Sequence, residues 1–367
     1  MPSAFPLPSR LRRRPGSFRR HWRHWRHWRG GRALVAGITA FTLAACGGSA
    51  GDRPVRVTIP PGATFAAAAE SLQSAGVVRS ARLFGLYAKA TGRDRALKAG
   101  TYELRRGATW SSTVDALTSG KTLMAVATVP EGYALTAIVP LLARTLQVPV
   151  DSVEAAVRDT ALLRRLDVPS GTLEGYLFPA TYHWPLGTSA REAVGSMVAE
   201  FERRWKPEWN GRLQALAMSR HDVVTLASIV EKEARLAEER PVIAAVYLNR
   251  LRVGMPLQAD PTVQYSLGQH VGRVLYRHLE VDSPYNTYRH KGLPPGPIAS
   301  PGTPSLAAAL HPATVPYLYF VAHPDGHNEF RRTFAEHTRA REELRRARGA
   351  TSQSRAAPAS AQPPGGK

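Results

Sequence analysis

Cysteine is almost absent from this 367-residue sequence, which contains only Cys46. A lone thiol excludes an internal disulfide and a cysteine-rich zinc site. Histidines are present, but His311, His323, His327 and His337 have no compact ligand spacing. We therefore expect neither a catalytic metal nor a cofactor.

Acidic residues are scarce, because 28 Asp and Glu stand against 49 Lys and Arg and leave a net charge of +21. Residues 1–51 contain ten Arg and no Asp or Glu, so close to half of this charge lies there. The rest of the chain is still basic and suits an anionic cell wall or anionic lipid. No zinc-finger, helix-turn-helix or RNA-recognition signature accompanies the charge, so we expect no nucleic-acid partner.

Residues 1–46 have the pattern of a basic leader followed by a lipoprotein-type signal. The leader includes a low-complexity His-Trp-Arg repeat at residues 21–29, and a mostly apolar run follows at residues 33–45. That run is shorter than the about 20 apolar residues of a membrane span, so it fits a secretory signal better. Small residues directly precede Cys46, which predicts that this cysteine is acylated and anchors the chain to a membrane. Residues 47–53 then form a linker.

Residues 54–122 predict a small module with the order β-α-α-β. Val55–Pro60 alternates as a strand does, and Gly100–Leu104 predicts a second strand. Two helices are predicted between them, from Thr64, as N-cap, to Ala75 and from Ser80 to Thr91. In the second helix we expect four side chains to be buried: Leu83, Phe84, Leu86 and Tyr87. The order resembles a LysM-like module, which would serve either as a glycan binder or as a spacer.

Residues 123–348 predict a larger domain of mixed composition, so the expected fold class is α+β. A strand is predicted at residues 123–130, and helices are predicted at residues 134–146, 151–165, 188–204 and 331–348. Gly292–Gly302 is too rich in Pro and Gly for a helix or a central strand, and predicts a shaped loop. Residues 349–367 are rich in Ala, Ser, Pro and Gly and are expected to be disordered.

The strongest chemical signal is Glu231-Lys232-Glu233 at the end of a largely apolar helix that begins near Ser219. Ser219 and Asp222 are spaced as in a capping box. A carboxyl group beside apolar faces loses hydration, so its pKa rises and it can act as a general acid near neutral pH. Helical periodicity does not separate Glu231 from Glu233. The alternative is that one of them faces solvent while the other pairs with an arginine.

Several blocks of this region resemble the endolytic murein transglycosylases, in the same order and with compatible gaps over residues 54–345. The blocks are Leu173–Pro179, Ala227–Ala234, Leu257–Val263, Ser283–Tyr288, Gly292–Ile298 and Tyr317–Ala322. The chain departs from the family pattern at Ala259, where Ser or Thr is common, and at His311, where Asn is common. These departures concern contacts with the substrate and not the type of reaction.

The resemblance implies a lytic transglycosylase that cleaves the β-1,4 bond between N-acetylmuramic acid and N-acetylglucosamine and leaves a 1,6-anhydro end. It also implies that Glu231 is the single acid and base. Six residues become candidate sugar contacts: Glu174, Gln258, Asp260, Tyr265, Asn286 and Tyr288. Turn chemistry is an equally good explanation of Gln258 and Asp260, and a capping role is an equally good explanation of Glu174.

The expected partners are peptidoglycan strands, a plasma membrane that holds the N-terminal anchor, and a peptidoglycan synthase of the penicillin-binding class. The catalytic domain would then lie on the periplasmic or extracytoplasmic side. The family generally has a transmembrane helix where this chain has the Cys46 signal. Two other functions stay open, namely a peptidoglycan-binding scaffold without catalysis and a hydrolase that uses Glu231 together with Asp260.

Overall fold

The computed structural model describes residues 54–268, 271–272 and 274–356. Within these residues the chain folds into thirteen α-helices and six short β-strands, which is the mixed α+β class that the sequence predicts. The predictions for the leader, for Cys46 and for the linker lie outside the described residues.

The strands form three antiparallel pairs. They are β1 (Pro54–Ile59) with β2 (Gly100–Arg105), β3 (Met124–Thr128) with β4 (Thr181–Pro185), and β5 (Tyr319–Ala322) with β6 (Asn328–Arg331). The helices are α1 (Phe65–Ser74), α2 (Ala81–Ala90), α3 (Trp110–Ser119), α4 (Leu135–Leu146), α5 (Val150–Ala156), α6 (Thr160–Leu166), α7 (Ala190–Arg204), α8 (Trp209–Leu216), α9 (Arg220–Glu233), α10 (Arg240–Arg252), α11 (Asp260–Ser266), α12 (Thr303–Leu310) and α13 (Phe334–Ala356).

The first part of the chain has the predicted order β1-α1-α2-β2, and α3 follows. Thr64 caps α1 as predicted, since its hydroxyl accepts a hydrogen bond from the Ala67 N–H at 3.2 Å. The prediction of burial in α2 is wrong for Leu83 and Leu86, whose exposed fractions are 54% and 56%. Only one face of this short helix packs against α1 and α3, and Phe84 occupies that face. Buried apolar residues between Val57 and Leu117 form a hydrophobic core of their own.

A second and larger hydrophobic core extends from Ala125 to Leu310, with α9 in its middle. Helix α9 begins at the predicted capping box, in which Ser219 and Asp222 bond to each other's backbone amides. Every residue of Val223–Val230 is buried, which is the pattern of a helix enclosed on all sides. It packs against α10, α11 and α12. Its C-terminal end, with Glu231 and Glu233, is where the helix leaves this core.

Several predicted boundaries differ from the structure, two of them by more than a few residues. The helix predicted at residues 151–165 is divided into α5 and α6, because the Asp159 side chain accepts hydrogen bonds from the Ala161 and Leu162 amides and starts a new helix. The prediction places the start of the disordered tail at residue 349, which is too early, because α13 continues to Ala356. Across the residues that the structure describes, we find no helix with the length and apolar character needed to cross a bilayer.

Candidate functional site at the end of helix α9

Glu231 lies in a closed, charged environment. Its side chain is 6% exposed, and one carboxylate oxygen lies 3.4 Å from Nη2 of Arg240. The other oxygen accepts a hydrogen bond from the Gly302 N–H at 3.0 Å, at the start of α12. Arg240 is itself held by the Ser305 hydroxyl, to which its Nε donates at 3.0 Å. Both oxygens of Glu231 are therefore engaged in joining α9, α10 and α12.

Glu233 is the last residue of α9, and its half-buried side chain lines a cavity of about 520 Å³. Oε1 accepts a hydrogen bond from the Tyr247 hydroxyl at 3.0 Å. Burial raises the pKa of Glu233 to about 7, and the negative charge of Asp260 adds to the rise, while the Tyr247 hydroxyl and Arg250 oppose it. A substantial fraction of this carboxyl group is therefore protonated near neutral pH, next to open space.

Three of the predicted sugar contacts lie in the same cavity, namely Gln258, Asp260 and Tyr288. The Tyr288 hydroxyl donates a hydrogen bond to Oδ1 of Asp260 at 2.6 Å. Among the described residues, no backbone amide donates to the Asp260 side chain, which is the bond that the turn interpretation would require. Gln258 has a φ of 49°, which is unusual for a residue with a side chain, and its backbone N–H donates to the Thr287 carbonyl at 3.1 Å. The two loops thus hold each other at the wall of the cavity.

Tyr265 and Glu174 are placed together, away from Glu233. The Tyr265 hydroxyl donates to Oε2 of Glu174 at 3.3 Å, and Tyr265 lines a second cavity. Glu174 is 2% exposed and accepts hydrogen bonds from the Leu135 N–H at 3.0 and 3.2 Å. Burial raises its pKa to about 7, and these hydrogen bonds partly oppose the rise. Glu174 therefore caps the start of α4, which is the alternative that the sequence left open.

Asn286 is fully buried, and its amide group is occupied within its own loop. Nδ2 donates to the carbonyls of Leu279 and Val281, each at 2.9 Å, and Oδ1 accepts from the Tyr288 N–H at 3.1 Å. This side chain positions Tyr288, and a direct bond to a sugar would require the loop to open.

Several residues of the cavity were not identified from the sequence. Tyr247 and Arg250 come from α10, and His337 comes from α13. Nδ1 of His337 is buried and has no hydrogen-bond partner among the described residues. Burial and two nearby arginines lower the pKa of His337, so it is neutral at pH 7. Tyr247 directly follows the apolar run Pro241–Val246, which could have marked it, but nothing local links any of these residues to Glu233.

Glu131 is a further carboxyl group that the sequence did not mark. It lies against Gly302, where a Cβ atom would overlap its carboxylate. Burial raises the pKa of Glu131 and the charge of Glu231 adds to this rise, whereas Arg240 opposes it. Within the described residues no cluster of three or more His, Cys, Asp or Glu could hold a metal ion.

The sequence of this chain matches a known family. A family model described as "YceG-like family" matches residues 57–343. The chain belongs to this family. An endolytic murein transglycosylase of Bacillus subtilis is 38% identical over 304 residues, which cover 78% of this chain and 84% of that protein.

Two further relatives extend the comparison. An endolytic murein transglycosylase of Streptococcus pneumoniae serotype 2 is 31% identical over 299 residues, covering 73% of this chain and 54% of that protein. A crystal structure of a putative YceG-like protein from Listeria monocytogenes has a TM-score of 0.54 and 35% identity. It matches over 79% of this chain and 99% of its own. The matched region in each case is long enough to include the end of α9 and the loops around it.

Proposed function

We propose that this chain is an endolytic murein transglycosylase and that Glu233 is its acid and base. The observation that carries the assignment is the position of Glu233 on an open cavity, while both oxygens of Glu231 are bonded to the protein. The raised pKa of Glu233 fits this role. The motif alone suggested Glu231, and the geometry favours Glu233. The names of the relatives support the activity, and Gln258, Asp260 and Tyr288 supply polar groups for a glycan in the same cavity.

The proposed reaction needs a single titrating group. Glu233 donates its proton to the glycosidic oxygen as the bond from C1 of N-acetylmuramic acid to that oxygen breaks. The C6 hydroxyl of the same sugar attacks C1, and its proton passes to the Glu233 carboxylate, which restores the acid. No water is consumed, and the product is a 1,6-anhydro end. The nucleophile is part of the substrate, so it has no separate translational freedom to lose.

A hydrolase is the second candidate, because Asp260 lies in the same cavity as Glu233. Most glycoside hydrolases use two carboxyl groups that flank the glycosidic bond. In that reaction the second group activates a water or attacks C1, and the product has a reducing muramic end.

Mass spectrometry of purified glycan strands digested by the protein tests both functions. Anhydro ends would support the transglycosylase, and reducing ends would support the hydrolase. Glu233→Gln should lower product formation by several orders of magnitude, and the folded fraction of Glu231→Gln should still cleave. Loss of cleavage only in folded Glu231→Gln would return the catalytic role to Glu231.

The location of the enzyme is also part of the proposal. A lipid on Cys46 would hold the chain to the plasma membrane, with residues 54–356 on the extracytoplasmic side. There the enzyme would meet newly made strands beside a peptidoglycan synthase. Cleavage within such a strand would end its elongation.

A further inference from the structure

A second cavity, of about 310 Å³, shares helices α9 and α11 with the first, although the rest of its lining differs. On α9, Lys232 lines the second cavity while the next residue, Glu233, lines the first. On α11, Pro261 lines the second cavity while the preceding residue, Asp260, lines the first. The two cavities therefore border adjacent positions on α9 and α11, whose successive side chains diverge by about 100°. A polymer that passes over both helix positions would meet the two cavities in turn.

Lys232 brings a positive charge to this second cavity. Its Nζ donates one hydrogen bond, to the Gly132 carbonyl at 3.2 Å, and an ammonium group has three donors. Among the described residues, no carboxylate lies within 4.0 Å of it to form an ion pair. Glu131 lies against Gly302, and Glu231 is bonded to Arg240, so neither carboxyl group lines this cavity.

Other polar groups at the same cavity also lack partners. In the part of the chain that the structure describes, the side chains of Tyr133, Thr136 and Gln264 form no hydrogen bonds with the protein. Tyr133 is 39% exposed, and the ring of Tyr265 forms part of the wall. A cation, an amide, hydroxyl groups and aromatic rings are together suited to an amide-rich ligand that carries a carboxylate.

The proposed substrate offers such a ligand in one place. The sugar rings of a murein strand are neutral, and their hydroxyl and N-acetyl groups need no cation. Carboxylates occur on the side chain of N-acetylmuramic acid, either along its stem peptide or on the bare lactyl group when the peptide is absent. We propose that the cavity of Lys232 is a subsite for the carboxylate of the muramoyl side chain. This inference rests on the proposed function. It adds a means by which the enzyme distinguishes murein from uncharged glycans.

Binding measurements on the full chain test the subsite without cleavage. In the Glu233→Gln background, calorimetry would compare three probes of equal length: peptide-bearing murein strands, amidase-treated strands and chitin oligosaccharides. Adding Lys232→Met should weaken binding to a carboxylate-bearing probe about tenfold, because the charged hydrogen bond to the carboxylate is lost. Binding to chitin, which has no carboxylate, should stay unchanged. Lys232→Arg should restore most of the affinity. Lys206→Met, at an exposed lysine that lines neither cavity, is the matched control and should change nothing.

The probes identify the source of the carboxylate. A loss confined to peptide-bearing strands supports a subsite for the stem peptide, and a loss confined to amidase-treated strands supports a subsite for the lactyl group. Equal loss on all three probes, or on none, would overturn the proposal. Failure of the proposed function is a separate readout, since it appears in the ends formed by the wild-type enzyme and not in these affinities.

Discussion

Glu231 and Glu233 are two residues apart on α9, yet they meet opposite surroundings. The Glu231 side chain is buried inside the fold, where Arg240 and the Gly302 N–H bind its two oxygens. Glu233 lines a cavity, and burial raises its pKa and favours its neutral form, although the hydrogen bond from the Tyr247 hydroxyl opposes this rise. Both residues are glutamates in one short motif, and the difference between them comes from the elements packed against each one.

The pH dependence of turnover should report on Glu233. The pKa of this group is raised to about 7, so the protonated acid is present below that pH and is lost above it. We expect kcat to fall about tenfold for each pH unit above 7. Asp260→Asn removes a negative charge that raises this pKa, so its profile should begin to fall at a lower pH. A profile that is the same in both proteins would contradict the assignment.

Substitution of Glu231 should act mainly on stability. Glu231→Gln leaves Arg240, which is 13% exposed, without its ion-pair partner, and breaking a buried pair costs about 3 kcal/mol. Urea unfolding at pH 7 would measure the change. The exposed pair of Arg165 and Glu202 provides the control, because Glu202→Gln should cost less than about 1 kcal/mol. Equal stability of the two variants would argue against a structural role for Glu231.

At the level of elements, the site depends on how loops pack behind α9. Gly175 has a φ of 82°, and a Cβ atom there would overlap the ring of Pro297 and approach Val224. The loop that contains Glu174 is thereby pressed against the Pro-rich loop of residues 292–302. This contact needs a residue without a side chain at position 175.

Gly175→Ala should therefore destabilise the protein strongly. The cost combines a left-handed backbone with overlap against a rigid ring, and we expect more than about 2 kcal/mol. Gly171→Ala is the matched control, since Gly171 has a φ of 75° with open space around it. It should cost only about 1 kcal/mol from the backbone. Thermal unfolding of both variants would separate the two contributions, and equal melting temperatures would show that the overlap is relieved by movement.

The sequence predicts elements well where local chemistry decides them. The Ser219 and Asp222 capping box marks the start of α9, and Thr64 marks the start of α1. Prediction from the sequence fails where contacts with distant residues determine the structure, as for the exposed Leu83 and Leu86. The choice between Glu231 and Glu233 is of this kind, since Arg240, Gly302 and Tyr247 reach α9 through tertiary packing. No local pattern contains that information.

On the scale of the whole molecule, the described residues form two hydrophobic cores, which are joined near residue 123. The Leu123 N–H donates to the Thr101 carbonyl at 2.7 Å, and the Thr101 hydroxyl donates to the Leu186 carbonyl at 3.3 Å. Both cavities described above are lined only by residues from position 132 onward. The residues proposed for catalysis and substrate binding therefore lie outside the first core.

A chain that begins at residue 123 should fold and cleave short soluble strands. Without the first module it should bind sacculi more weakly, if that module binds glycan as a LysM-like unit would. Pelleting with sacculi and product analysis can be performed on the same protein. A folded, inactive truncation that pellets as fully as the intact chain would reverse this division of roles.

The anchor is tested by acylation of Cys46. Metabolic labelling with a lipid probe should mark the wild type and leave Cys46→Ala unmarked. An unlabelled wild-type protein that stays in the membrane with its leader attached would favour a single membrane span in place of the lipid.

Helix α9 ends at Glu233, and this position has an electrostatic consequence of its own. Peptide dipoles sum along a helix to about half a negative charge at its C-terminus, which disfavours a carboxylate there by about 0.3–1 kcal/mol. Before the reaction, this field helps Glu233 to keep its proton. Once the proton has passed to the leaving oxygen, the same field makes the carboxylate a stronger base toward the C6 hydroxyl. The end of the helix therefore supports both halves of the proposed catalytic cycle.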